Sequence, residues 1–224
     1  MVTSGLVRRL QGHGLESLVE IETTDRKIAP REFIGAYGAG RGANLGAPGG
    51  PGANMLLSEL RFYTNDAWPL IRGVAEERAV PLLLMDRYSR GALYVLNVPD
   101  NPGDLYALPQ AVLGAIRGYL QGELPVRLDA PSHVSLFVYD NGAFIVQSFR
   151  SEAVSVELIV NGAHAQLRDL VSASRLEPSD EASHSGSGAV ARPTGEGSAS
   201  DGATARSVFR VRLPPHSYRV FSLR

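Results

Sequence analysis

The hydrophobic period of this chain changes once, near Leu124-Pro125, and that change limits the possible folds more than any other feature. Beyond it, apolar residues recur at every second position. Val154, Val156, Leu158 and Val160 alternate with Ser155, Glu157 and Ile159, and Phe209, Val211 and Leu213 alternate with Arg210 and Arg212. That is the signature of strands with one face on a core. The segments His133–Tyr139 and Ala143–Phe149 flank Asp140-Asn141-Gly142, whose Asn-Gly pair predicts a tight hairpin. Short strands joined by turns, with no helical pattern among them, predict an antiparallel β-sandwich over residues 124–224. The stretch from about 173 to 207 is Ser, Gly, Ala and Thr with scattered charge and cannot bury enough apolar surface to order itself, so it is expected to be a disordered insertion between paired strands.

Before the change, the pattern mixes helical and extended segments. Val2-Thr3-Ser4-Gly5-Leu6 leads from a strand end into a helix with Ser4 as N-cap, with Leu6, Val7 and Leu10 on one face and Gly12 as the stop. Strands are expected over Leu18–Thr23, Arg31–Ile34 and Leu56–Tyr63. Asp66 with Pro69 in the following turn predicts a helix that faces Leu70, Ile71 and Val74 inward. Pro81-Leu82-Leu83-Leu84-Met85 reads as a strand covered on both faces, Ser89-Arg90-Gly91 as a turn, and Leu93–Val98 as its return. A helix is expected from Pro109 to Leu120. Eight glycines crowd the loop 35–53. This order predicts an α/β domain over residues 1–123, and because it opens at the end of a strand, that domain is expected to be N-terminally incomplete.

Composition narrows the chemistry. The 224 residues include no cysteine, which removes disulfides, thiolate metal sites and cysteine nucleophiles, and Lys27 is the only lysine. A net charge of -1 gives no electrostatic footprint for nucleic acid or an anionic membrane. No apolar run approaches the ~18 residues of a membrane span, and the N-terminus has no secretory pattern, so a cytoplasmic location is expected for the chain as written. The five histidines, His13, His133, His164, His184 and His216, do not pair at ligand spacing, so no metal or other cofactor is implied. The run Gly38-Ala39-Gly40-Arg41-Gly42 is followed by Pro48-Gly49-Gly50-Pro51 instead of a helix, which argues against a phosphate loop. No Gly-x-Ser-x-Gly elbow occurs.

The densest polar stretch is Asp100-Asn101-Pro102-Gly103-Asp104-Leu105-Tyr106, leaving the end of a buried strand, where ligand sites of α/β sheets gather. The same residue types are those a tight turn requires. Asp66 and Trp68 form a second candidate group, with Asp66 equally suited to capping and Trp68, the only tryptophan, to the core. The candidate ligand-binding residues are therefore Asp66, Trp68, Asp100, Asn101, Asp104 and Tyr106. No catalytic pair can be named. Glycoside hydrolysis needs two carboxylates across a cleft, and nothing in the spacing of Glu59, Asp66, Asp86, Asp100 and Asp104 pairs them.

Three stretches carry a family resemblance: Val2–Leu6 before a helix, Tyr88–Leu96 running on to Pro99-Asp100-Asn101, and the closing Leu213–Phe221. Together they resemble the C-terminal part of bacterial glycoside-hydrolase-like proteins, similar to β-galactosidases with a trimerisation domain. In those proteins a catalytic barrel is followed by a glutamine-amidotransferase-like α/β domain of flavodoxin type and then a small β-sandwich. The resemblance implies an amidotransferase-like domain without its chemistry, since that chemistry needs a cysteine, and catalytic carboxylates on a barrel that these residues do not contain. It points to a non-catalytic accessory or assembly role in a carbohydrate-active enzyme, with a second copy or the missing N-terminal catalytic domain as partner. The alternatives are a stand-alone carbohydrate-binding protein, with Trp68, Tyr88, Tyr106 and the acidic turn lining a shallow site, and a small glycoside hydrolase.

Overall fold

The computed structural model describes residues 1–35, 42–49, 55–88, 91–121, 124–179 and 205–223, leaving aside the Tyr88 side chain. The chain is predominantly β-structure and divides into two compact units, Met1–Val112 and Leu113–Arg224.

In the first unit the strands are β1 (Val2–Thr3), β2 (Ile21–Ile28), β3 (Glu32–Gly35), β4 (Ala43–Gly46), β5 (Leu57–Phe62), β6 (Ala67–Ala75), β7 (Arg78–Tyr88) and β8 (Gly91–Leu96). Helix α1 (Ser4–Leu10) follows β1. Six strands pair in the order β1-β8-β7-β6-β3-β4, and β2 pairs with β5 in a separate antiparallel ribbon. Only β1 with β8 is parallel; every other pair in the larger sheet is antiparallel. Of the alternating strand and helix order expected over residues 1–123, two helices form, α1 after β1 and the expected Pro109–Leu120 helix at Gln110–Leu120, and among the described residues no α-helix interrupts the strands between them.

The main correction falls on residues 66–75, expected as a helix and folded as β6. Asp66 and Pro69 imitate a helix start locally, but pairing of β6 with both β3 and β7 outweighs that cue. The register shifts between Pro69 and Ile71, so the residue lacking an N–H sits at an irregularity of the ladder. Gly73 marks a close approach: a Cβ there would lie 3.0 Å from the Pro30 Cβ and 3.1 Å from the Leu57 Cδ1. The run at Leu82, Leu83, Leu84 and Met85 is buried on both faces as expected. On one face Leu84, Ala67 and Val95 pack with Val7, Val19, Ile21 and Leu60.

Smaller differences have local causes. Thr3, not Ser4, caps α1, its Oγ1 accepting the Leu6 N–H at 3.3 Å. Val7 is buried, whereas Leu6 and Leu10 are exposed. Leu18 is exposed beside a 3-10 turn, Leu15–Ser17, so the second strand starts later, at Ile21. Within the glycine-rich stretch 35–53, Ala43–Gly46 is edge strand β4; residues 36–41 and 50–53 lie outside the described residues, as do Ser89 and Arg90 of the expected turn. Among the described residues no helix is long and apolar enough to cross a membrane.

Helix α2 (Gln110–Leu120) carries the chain into the second unit, where the Arg117 guanidinium donates to the Ala130 carbonyl at 2.5 Å. Eight strands follow: β9 (Val126–Asp129), β10 (Val134–Val138), β11 (Ala143–Ser148), β12 (Val154–Asn161), β13 (Leu167–Asp169), β14 (Arg175–Leu176), β15 (Arg206–Leu213) and β16 (Tyr218–Ser222). One antiparallel sheet runs β10-β11-β16-β13-β14 and the other β15-β12-β9. Both sheets feed one core, in which Phe144, Val146, Leu167 and Phe221 of the first meet Leu128, Val156, Leu158, Phe209 and Val211 of the second. The Asn-Gly turn closes the β10–β11 hairpin with Gly142 at φ 79 and the Asn141 Oδ1 accepting the Ala143 N–H. Of the expected insertion, residues 173–179 include β14, residues 206–207 begin β15, and residues 180–204 lie outside the described residues.

Candidate functional site

The acidic turn follows β8 and is held from below by Asn97. That fully buried amide donates to the Ser58 carbonyl of β5 at 2.7 Å and the Pro81 carbonyl of β7 at 2.9 Å. Ser4, at the strand-to-helix corner, accepts the Val98 N–H at 3.0 Å. Its hydroxyl thus anchors the exit of β8, and among the described residues no histidine is bonded to it. Asp100 pairs with Lys27 at 2.5 Å, both side chains being substantially exposed, so solvent screens the pair. The Asn101 Oδ1 accepts the Gly103 N–H at 3.1 Å while its amide donates to Asp104 at 3.0 Å, and the backbone closes from the Asp104 N–H to the Asn101 carbonyl. This N-caps the 3-10 turn Pro102–Ala107. The polar groups of Asn101 and Asp104 are therefore engaged in building the turn, and Tyr106 is exposed on it.

Asp66 and Trp68 lie at the other end of the same strands. Ala67 pairs with Asp86 and Asp86 with Leu93, whereas the acidic turn leaves beyond Leu96, which pairs with Leu83. The six candidates thus form two groups at opposite ends of β8. Asp66 caps no helix; its N–H donates to the Thr64 Oγ1 and its carbonyl accepts the Arg87 N–H. The Arg87 guanidinium stacks on the half-buried Trp68, 5.0 Å from the ring centroid, and occupies a surface a sugar would need. The Tyr88 side chain lies outside the described residues.

Asp86 is the one strongly buried carboxylate here, 3% exposed. Burial is the first reason its carboxyl is held above the usual range, and repulsion from Asp66 and Glu20 adds to it. An acid whose folded pKa is raised stabilises the fold most when protonated, and that contribution is lost as pH rises from about 3.9 through the folded value. Asp86→Asn is therefore expected to raise the thermal midpoint at pH 7.5, with the gain shrinking toward pH 4. A gain independent of pH, followed by circular dichroism, contradicts this account.

A shallow groove of roughly 270 Å³ opens elsewhere in the first unit, lined by Arg26, Ile28, Glu59, Glu77, Arg78, Ala79 and Val80. It contains none of the six candidates. Glu59 accepts the Thr24 hydroxyl at 2.8 Å and pairs with Arg61 at 3.3 Å, so this carboxylate is committed. Strand pairing assembles the groove from distant segments, and only Glu59 among its residues drew attention in the sequence. Among the described residues no three His, Asp or Glu side chains are placed to hold a metal ion.

Residues 125–223 match the family model described as "Probable glycosyl hydrolase, C-terminal domain". The second unit is similar, over nearly its whole length, to the C-terminal domains of glycoside-hydrolase-like proteins. Among solved structures, Gan42B, a GH42 beta-galactosidase, aligns at 11% identity and a TM-score of 0.39 over 94% of this chain. This chain spans 24% of that structure's length. No curated protein matches.

Proposed function

We propose that the chain is a non-catalytic accessory portion of a glycoside-hydrolase-like enzyme whose reacting carboxylates reside on another domain. The observation that carries the reading is the match of residues 125–223 to a glycosyl hydrolase C-terminal domain. The chemistry of the first unit agrees with it. Glycosidases place two carboxylates across a cleft with a water or nucleophile between them. Here Asp100 is tied to Lys27, Asp104 to Asn101 and Glu59 to Arg61, while Asp86 is buried in the sheet. The partner in this reading is the catalytic domain, with the first unit's mainly antiparallel sheet as the scaffold that joins it.

The test is turnover. Purified chain incubated with a panel of aryl-glycosides is expected to release no aglycone above the buffer rate. Hydrolysis that Glu59→Gln or Asp100→Ala abolishes, in a variant that still folds, would place the reaction on this chain and end the proposal.

A further inference from the structure

We infer that the outward face of β10, β11 and β16 is a platform for a neutral glycan. Strand register decides which side chains point there. Phe137, Ile145 and Val220 form one cross-strand row, and Ser135, Gln147 and Tyr218 the next. Their neighbours Leu136, Val146 and Phe221 point the other way, into or against the core. The alternation continues past the strand ends. Phe149, whose N–H donates to the His133 carbonyl, and Tyr139, whose N–H donates to the Ala143 carbonyl, also face outward. Phe137, Tyr139, Phe149 and Tyr218 are 44–59% exposed, although period-2 strands ordinarily reserve this phase for polar residues.

The outer face of the opposing sheet supplies the contrast. There Glu157 pairs with Arg210 at 3.1 Å, and Arg206 and Arg212 stand exposed, an ordinary solvated surface. The two aromatic rows carry no formal charge, and Arg168 and Arg175 continue the same face only beyond Ser222, on β13 and β14. The neutral rows themselves fit an uncharged ligand. Rings separated by an amide and hydroxyls suit a pyranose, whose C–H face stacks on an aromatic ring while its hydroxyls exchange hydrogen bonds with groups such as Gln147 and the tyrosine hydroxyls. Strands about 4.8 Å apart, rising about 3.4 Å per residue, put Phe137 and Tyr218 roughly 12 Å apart and Tyr218 and Phe149 roughly 8 Å apart, a diagonal on the scale of a short oligosaccharide. The site is distinct from the acidic turn and from Trp68, and it goes beyond the accessory role by giving that role a ligand.

The full chain is titrated with cellohexaose, mannohexaose and β-1,4-galactohexaose by calorimetry. At least one is expected to bind, and Tyr218→Ala and Phe137→Ala should each weaken it about tenfold. Trp68→Ala and Tyr106→Ala should leave it unchanged. Unaltered thermal midpoints of the two platform variants separate lost binding from lost folding. The inference is overturned if no hexasaccharide binds at millimolar concentration, or if binding survives the double substitution. It is equally overturned if the chain forms a dimer that the same substitutions dissociate and that binds no sugar. Those outcomes leave the accessory assignment standing, because it is tested by turnover.

Discussion

Arg219→Ala is expected to cost the C-terminal unit about 3 kcal/mol, the lower end of what breaking a buried ion pair costs. Its partner Asp169 is 2% exposed and accepts the Arg219 Nε at 2.6 Å, the Val171 N–H at 2.8 Å and the Ser172 N–H at 3.2 Å. The substitution leaves that carboxylate buried with only its backbone donors, which is why the lower end applies. It also removes the guanidinium lying 5.2 Å over the Phe221 ring. Burial alone would push the Asp169 carboxyl up, but the Val171 and Ser172 N–H groups and then Arg219 outweigh it and hold the carboxyl below the usual range. A depressed carboxyl contributes stability that is present above about pH 3.9 and lost as pH falls through its lower folded value. The wild-type chain should therefore lose stability steeply below pH 4, and Arg219→Ala should lose less over the same window. Urea unfolding at pH 3, 4 and 7 measures both effects; parallel pH profiles for the two proteins would refute the assignment. Tyr218 and Val220 point outward because Arg219 is held inward, so the same variant should loosen the aromatic platform.

The second unit was readable from the chain because its information is local. Val154–Val160 and Phe209–Leu213 alternate cleanly, and Asn141-Gly142 names its own turn, so strands and hairpin follow from short windows. The first unit was less readable because what decides it is remote. Asp66 and Pro69 form a sound local helix start, and only pairing with Glu32–Gly35 and Arg78–Asp86 makes the segment a strand. The same holds for the sites. Asn101, Gly103 and Asp104 have turn chemistry and make a turn, whereas the groove at Arg26, Glu59 and Arg78 exists only because strands distant in sequence lie together. The aromatic platform did leave a trace. Phe137, Tyr139, Phe149 and Tyr218 occupy the phase opposite to Phe144, Val146 and Phe221, and aromatic residues on both phases of a strand are a departure from one-sided burial.

Asn97→Ala should destabilise the N-terminal unit by about 3 kcal/mol, since two buried carbonyls lose a donor at about 1–3 kcal/mol each and part of that is regained on relaxation. Its side chain is the tie between the β2–β5 ribbon, through Ser58, and the six-stranded sheet, through Pro81, while its backbone N–H donates to Leu82 at 2.8 Å. The Oδ1 has no hydrogen-bond partner among the described residues, so the amide is retained for its two donors. That asymmetry yields a sharper test. Asn97→Leu restores most of the volume without the donors and should recover little stability, because packing is not what is lost. Asn97→Asp keeps the shape but at neutral pH turns a double donor into a charge facing two carbonyl oxygens. It should be the most damaging of the three at pH 7.5 and should recover partly toward pH 4, as the carboxyl takes up a proton and can donate once. If Asn97→Leu proves as stable as wild type in urea, the residue is a space filler, and its two hydrogen bonds are not what holds the ribbon to the larger sheet.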